Sequence, residues 1–229
     1  MLRLIQTDTD GLARLRAGLP TYTAAATEPA PPAAVRRPSR SWLARQWVKN
    51  LLDGSFFIPT LARVARRLGL AVFYGELRGR VVHADGSVTD YGLLGRRVVT
   101  DAGVAFLASA FDNTVEPEIL KFHGFGTGTT AEAQTDTALV TELTTEYATD
   151  NTRPTGSQAH GTGTHTGTYT TVGTLSPDAT VTITEHGVFS QAATGGGTLL
   201  DRTKFTGIAL TGSADSLQAT YVLSLPSNG

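Results

Sequence analysis

The half of the chain from Lys121 to the C-terminus consists of short segments rich in threonine and glycine. Residues 121–229 contain 27 Thr and 15 Gly, but only four basic residues, Lys121, Arg153, Arg202 and Lys204. Threonine is β-branched and suits a pleated strand, and its hydroxyl keeps an exposed face polar. Glycine supplies the turns between such strands. This composition predicts a β domain over residues 118–229 that serves as a surface and not as a catalyst.

Alternating apolar and polar residues predict six strands in this half. The clearest is the last, in which Leu217, Tyr221 and Leu223 point to one side. Residues 149–163 show no periodicity and predict a long surface loop. The candidate strands span residues 119–125, 138–147, 164–175, 180–190, 198–205 and 216–225. This spacing is typical of an antiparallel β-sandwich or jelly roll.

Residues 41–117 predict a small α+β segment. One helix begins near Ser41 and ends at Asp53-Gly54, and a second follows Pro59. Two strands then flank Asp85-Gly86, a strong hairpin signal. Thr100 is a good N-cap for a third helix. The predicted fold class is therefore α+β, with short helices ahead of a mainly antiparallel β domain.

Residues 1–40 predict an extended arm. Pro29, Pro31, Pro32 and Pro38 favour an extended or polyproline-like chain, preceded by a possible short helix from Thr9. Acidic residues and arginines interrupt every apolar stretch near the N-terminus, which argues against a secretory signal. No apolar run approaches the roughly 20 residues that span a bilayer, so we expect no membrane-spanning segment and favour a protein over a membrane as the partner.

Positive charge and aromatic side chains are concentrated in the middle of the chain. The net charge is −1, yet residues 36–97 carry 12 basic and 4 acidic groups, and both tryptophans lie within residues 42–57. This segment could be a partner anchor, an amphipathic hairpin on a membrane, or an ordinary helical core with arginines on its outer faces. We predict partner contacts at Trp42, Trp47, Phe56, Phe57, Arg63, Arg66 and Arg67.

The sequence contains no convincing catalytic, cofactor or metal motif. Residues 124–129 are glycine-rich but lack the third glycine and the lysine of nucleotide loops. His160 and His165 have no third ligand nearby, and Glu185-His186 has no accompanying nucleophile. His83, His123 and His186 stand alone in sequence, and there is no cysteine. We expect no enzymatic activity, cofactor, metal or nucleic-acid partner.

Residues 75–229 resemble a family of virion proteins of tailed bacteriophages, of the structural, minor capsid or decoration type. The resemblance lies in the order of a strand–Asp-Gly–strand hairpin, a helix after Thr100 and a closing strand. Four short motifs accompany it, at residues 126–129, 136–139, 184–187 and 197–200. It implies a non-enzymatic structural protein of the virion, and residues 1–70 lie outside it.

These features lead to one main hypothesis about function. We expect a capsid decoration or cement protein whose β domain forms a homo-oligomer, with a trimer as our guess, and whose N-terminal part binds the major capsid protein. An alternative is a receptor-facing fibre, collar or tail component that binds host glycan or protein through residues 149–163 and 194–197. A third hypothesis is a membrane-active or hydrolytic virion component.

Overall fold

The structure is a computed structural model that describes residues 34–70, 72–147, 151–162 and 167–225. Within these residues there are three α-helices: α1 (Arg40–Leu52), α2 (Ile58–Arg67) and α3 (Asp101–Ala110). The strands are β1 (Val35–Arg36), β2 (Tyr74–His83), β3 (Val88–Val98), β4 (Phe122–Gly126), β5 (Ser157–His160), β6 (Thr168–Leu175), β7 (Thr180–Phe189), β8 (Leu199–Thr211) and β9 (Asp215–Ser224). The possible helix from Thr9 and most of the predicted arm lie outside the described residues.

The strands form two sheets, as the predicted α+β fold with a mainly antiparallel sandwich requires. One sheet has the order β1-β3-β2-β9-β6-β5, and the other has the order β4-β7-β8. All described pairs are antiparallel except β1 with β3. The predicted fold class is confirmed.

The β2–β3 hairpin belongs to the same sheet as the C-terminal strands. Leu77 of β2 pairs with Tyr221 of β9, and Val81 pairs with Leu217. Residues 33–229 form one compact unit. The predicted division between residues 117 and 118 therefore runs through one sheet, because β2 needs β9 as its neighbour.

The core lies between the two sheets. Alternate residues of β9 point inward, and Leu217, Tyr221 and Leu223 are almost completely buried. Phe125 of β4 and Ile183 of β7 face them from the smaller sheet and belong to the same cluster. A period of two in the sequence thus places one face of each strand in the core.

The predicted local signals at the hairpin and at α3 are confirmed. Gly86 adopts a φ of +76° in the turn, a conformation that favours glycine. The Thr100 hydroxyl accepts a hydrogen bond from the Gly103 N–H at 3.0 Å and caps α3. The same hydroxyl donates to the Leu199 carbonyl of β8 at 2.6 Å, so the cap also fixes the helix to the smaller sheet.

One strand prediction and one loop prediction were wrong. Residues 138–147 form isolated bridges only, because the N–H groups of Val140 and Thr141 donate to the Glu185 carboxylate and not to a strand. The predicted loop at 149–163 contains β5, which pairs with β6 and is exposed along its length. The sequence of β5 does not alternate between apolar and polar residues, because neither face of this strand enters the core.

Candidate functional site

Helix α1 turns a polar stripe toward the protein. Trp42, Gln46 and Asn50 follow one another at intervals of four residues and are buried. The Gln46 side chain donates to the Leu94 carbonyl of β3 and accepts from the Thr206 N–H of β8 at 2.8 Å. This stripe therefore caps backbone groups of both sheets where they meet α1.

The apolar stripe of α1 consequently faces solvent. Trp47 is 57% exposed and Leu52 is 81% exposed, and Leu43, Val48 and Leu51 are exposed as well. The sequence pattern predicts this stripe but leaves open whether it forms part of a core. In the structure the stripe lies outside the core, because the polar stripe has taken the inward position.

Helix α2 also exposes its large apolar residues. Among its residues only Ala62 is buried, and the apolar stripe faces outward. The exposed large apolar residues of the two helices and their flanks are Leu43, Trp47, Val48, Leu51, Leu52, Phe57, Leu61, Val64, Leu68 and Leu70. We refer to these ten residues as the α1–α2 surface. An exposed apolar set of this size is characteristic of an interaction site.

A partly buried charge cluster holds the C-terminal end of α1 in place. Asp53 accepts from Lys49 at 2.8 Å and also pairs with Arg97, while Glu132 pairs with Arg97 at 2.9 Å. Burial alone would raise the pKa of Asp53, but hydrogen bonds from Arg97, Lys49 and Ser55 hold it well below its usual value. The carboxylate is therefore ionised, and the end of α1 is tied to β3 and to residue 132.

The predicted partner-contact residues occupy different environments. Trp42 is buried: its Nε1 donates to the Gly207 carbonyl at 2.9 Å, and its ring packs edge to face on Tyr91 with centroids 4.7 Å apart. Because its surface is already covered, Trp42 stabilises α1 in this structure and is not available as an anchor. The burial of Trp42 therefore argues against the prediction that this residue contacts a partner.

The other predicted residues lie at the surface. Trp47 packs against Phe56 with centroids 6.2 Å apart, and Phe57 is 53% exposed. Arg63, Arg66 and Arg67 are exposed on α2. These arginines pair with no carboxylate among the residues that the structure describes. The structure thus brings aromatic groups and uncompensated cations onto one helical hairpin.

Among the residues that the structure describes, two grooves border the helices and share Asp53, Ala131 and Glu132. The α1 groove, about 700 Å³, lies beside α1 and is lined by Ala44, Arg45, Val48, Lys49, Leu52 and Lys204 in addition to the shared residues. The α2 groove, about 600 Å³, is lined by Phe57, Ile58, Leu61, Arg97 and Arg202 among others. Sequence reasoning missed the contribution of residues 131–132 and Lys204, which approach α1 only in the folded chain.

Residues of the short glycine- and threonine-containing motifs noted in the sequence meet in the interior. Glu185 is fully buried and accepts from the Gly128 N–H at 3.0 Å and from Arg202 at 2.8 Å. Arg202 also pairs with Asp136 at 2.9 Å. Thr184 donates to the Gly128 carbonyl at 2.8 Å. Three of the four motifs thus contribute to one buried network that fixes residues 128–141 against β7 and β8.

Two histidines that stand apart in sequence are neighbours in space. His123 Nδ1 and His186 Nε2 are 2.9 Å apart in the core, and His123 Nε2 lies 3.0 Å from the Thr171 hydroxyl. Burial lowers the pKa of His123 to about 3 and lowers that of His186 well below its usual value, so both rings are neutral. No group of three or more His, Asp or Glu side chains suited to a metal occurs in the described part of the chain.

His83 also has partners that the sequence did not indicate. Its Nδ1 lies 2.7 Å from Asp215 and its Nε2 lies 2.8 Å from the Thr89 hydroxyl. The order of acid, imidazole and hydroxyl resembles a hydrolytic triad, but Thr89 is a weak nucleophile and is 8% exposed. The arrangement joins β2, β3 and β9 at one end of the larger sheet.

No protein-family model matches this chain, and no curated protein or solved structure matches it significantly. None of the helices in the described ranges is long and apolar enough to cross a membrane. The geometry of the α1–α2 surface therefore carries the functional inference.

Proposed function

We propose that this protein is a non-enzymatic structural protein of a bacteriophage virion that attaches to another virion protein through the α1–α2 surface. The major capsid protein is the proposed partner, which would make the chain a decoration or cement protein of the head. The virion setting rests on the resemblance of residues 75–229. The attachment site rests on the outward apolar stripes of α1 and α2.

The observation that carries the proposal is the orientation of α1. A helix on the surface of a globular protein ordinarily turns its apolar stripe inward. Here the inward positions belong to Trp42, Gln46 and Asn50, while Trp47, Val48 and Leu52 face solvent. Polar capping of the sheets and an apolar outer face together suit a helix that is covered by a second protein.

The surrounding charges agree with a protein interface. Tryptophan, phenylalanine and arginine are enriched among residues that dominate binding energy at interfaces. Trp47, Phe57, Arg63 and Arg66 lie on this hairpin, and its rigid mounting through Asp53 and Arg97 lowers the entropy lost on binding. A stable contact with the repeating subunits of a capsid shell requires a surface that is both preformed and apolar.

The direct test is binding to undecorated heads of the phage that encodes the protein. Wild-type protein should bind saturably, and Leu61→Ser and Trp47→Ser should each weaken binding about tenfold or more. Phe111→Ser is the matched control, because Phe111 is 95% exposed on the end of α3 and lies outside the α1–α2 surface. No saturable binding, or equal weakening by all three substitutions, would overturn the proposal.

A further inference from the structure

The α1 groove is lined by both apolar and basic side chains. Ala44, Val48 and Leu52 of α1 line it together with Ala131. Val48 and Leu52 are 46% and 81% exposed, although they line a concave site. A groove of this kind has room for one or two large side chains of another molecule.

The charges in the groove are not balanced. Lys49 is neutralised by Asp53 at 2.8 Å and by Glu132 at 3.4 Å, and both carboxylates also pair with Arg97. Arg45 and Lys204 face the same groove and pair with no carboxylate in the described ranges. The two acids of the groove are thus already engaged, and two cations remain for an external anion.

We propose that the α1 groove binds a segment of a protein partner that combines a large apolar side chain with a neighbouring carboxylate. The apolar side chain contacts Ala44, Val48 and Leu52, and the carboxylate pairs with Arg45 and Lys204. This inference rests on the proposed function and specifies the chemistry of the partner at that surface. Charge complementarity selects the acidic segment, because an apolar segment alone would leave both cations without partners.

A second copy of the chain does not fit this groove in a symmetric contact. A two-fold axis through the groove would bring Arg45 and Lys204 of one copy toward the same cations of the other. Like charges that are brought together at an interface cost several kcal/mol, on the order of the binding energy of a weak complex. A heterologous, acidic partner avoids this cost.

The test uses the full-length protein and two fluorescently labelled helical peptides. One peptide contains leucine and glutamate, and the other contains leucine and lysine. We expect the glutamate peptide to bind and the lysine peptide to bind at least tenfold more weakly, read by fluorescence anisotropy. Reversal of both groove cations, Arg45→Glu with Lys204→Glu, should abolish this preference. The control is Arg37→Glu with Arg80→Glu, which changes the net charge equally at exposed sites outside the groove.

Several results would overturn this inference. They are failure of the glutamate peptide to bind, equal binding of both peptides, and equal loss in the groove and control variants. Preferential binding to phosphatidylcholine–phosphatidylglycerol vesicles would assign the groove to a membrane. Binding of the glutamate peptide only after deletion of residues 1–33 would identify the chain's own N-terminal segment as the occupant.

Measurement of binding to undecorated heads distinguishes a failure of this inference from a failure of the proposed function. If wild-type protein binds undecorated heads and the groove variant binds them equally well, the groove chemistry is wrong and the proposed function stands. If wild-type protein binds the glutamate peptide but no heads, the proposed function is wrong and the groove chemistry stands.

Discussion

The Gln46 Oε1 accepts a hydrogen bond from the backbone N–H of Thr206 at 2.8 Å, across 160 residues of sequence. The Nε2 of the same side chain donates to Asn50 at 3.0 Å and to the Leu94 carbonyl. One amide thereby satisfies backbone groups of β3 and β8 that have no strand partner at that point. This link orients α1 and so determines which of its faces meets solvent.

Replacing Gln46 should therefore destabilise the fold although it removes no apolar contact. Gln46→Ala leaves the Thr206 N–H and the Leu94 carbonyl without partners in the interior, and we expect a loss of about 1–3 kcal/mol. Arg45→Ala, one residue away and exposed, should change the free energy of unfolding by less than about 0.5 kcal/mol. Urea unfolding measures both, and equal effects would contradict the capping role.

The cluster around Glu132 should hold the helical hairpin to the sheets. Its carboxylate pairs with Arg97 and Lys49 and accepts from the Lys204 N–H at 2.6 Å. Glu132→Ala leaves the partly buried Arg97 and Lys49 with Asp53 as their remaining carboxylate partner, and the expected loss is about 1–3 kcal/mol. Hydrogen exchange should rise first in α1. The exposed Glu116→Ala is the control, and a similar loss there would contradict this account.

Asp201 should make the fold less stable as the pH rises. Burial raises the pKa of Asp201 to about 7, from 3.8 for the free side chain. Between these values the folded protein binds a proton that the unfolded chain has released, so the stability falls with rising pH. Asp201→Asn should remove this decline. Denaturant unfolding between pH 4 and pH 7 measures the free energy of unfolding of the wild type and of the variant. Parallel curves of this free energy against pH would contradict the prediction.

The His123–His186 pair should act in the opposite direction. Burial lowers the pKa of both rings from 6.5, to about 3 for His123. As the pH falls below about 6.5 the unfolded chain gains protons that the folded protein excludes, so the stability falls with acidification. NMR titration of the imidazole rings should show both neutral at pH 5. A ring that titrates near pH 6.5 would contradict their burial.

The sequence predicted the parts of the fold that local patterns control. The Asp85-Gly86 turn, the Thr100 cap and the alternation of β9 each depend on a few adjacent residues, and each is found in the structure. The burial of Gln46 was not predictable, because its partners at Leu94 and Thr206 are remote in sequence. For the same reason the contact of His123 with His186 was missed.

The sequence indicated the segment that carries the proposed attachment site, but not the environment of each residue. The concentration of aromatic and basic residues over 42–67 pointed to the helical hairpin that exposes its apolar residues. However, an apolar stripe at helical spacing has the same sequence pattern whether it packs on the core or lies exposed and binds a partner. The polar stripe of Gln46 and Asn50 was the available signal, since two amides at an interval of four residues need partners of their own.

The central claim is that the α1–α2 surface is covered in the assembled virion. A density map of heads decorated with the purified protein tests it most directly. We predict that Trp47, Leu61 and Val64 contact the capsid shell and that the β5 edge lies away from it. A map in which α1 and α2 face solvent while another surface contacts the shell would contradict the claim.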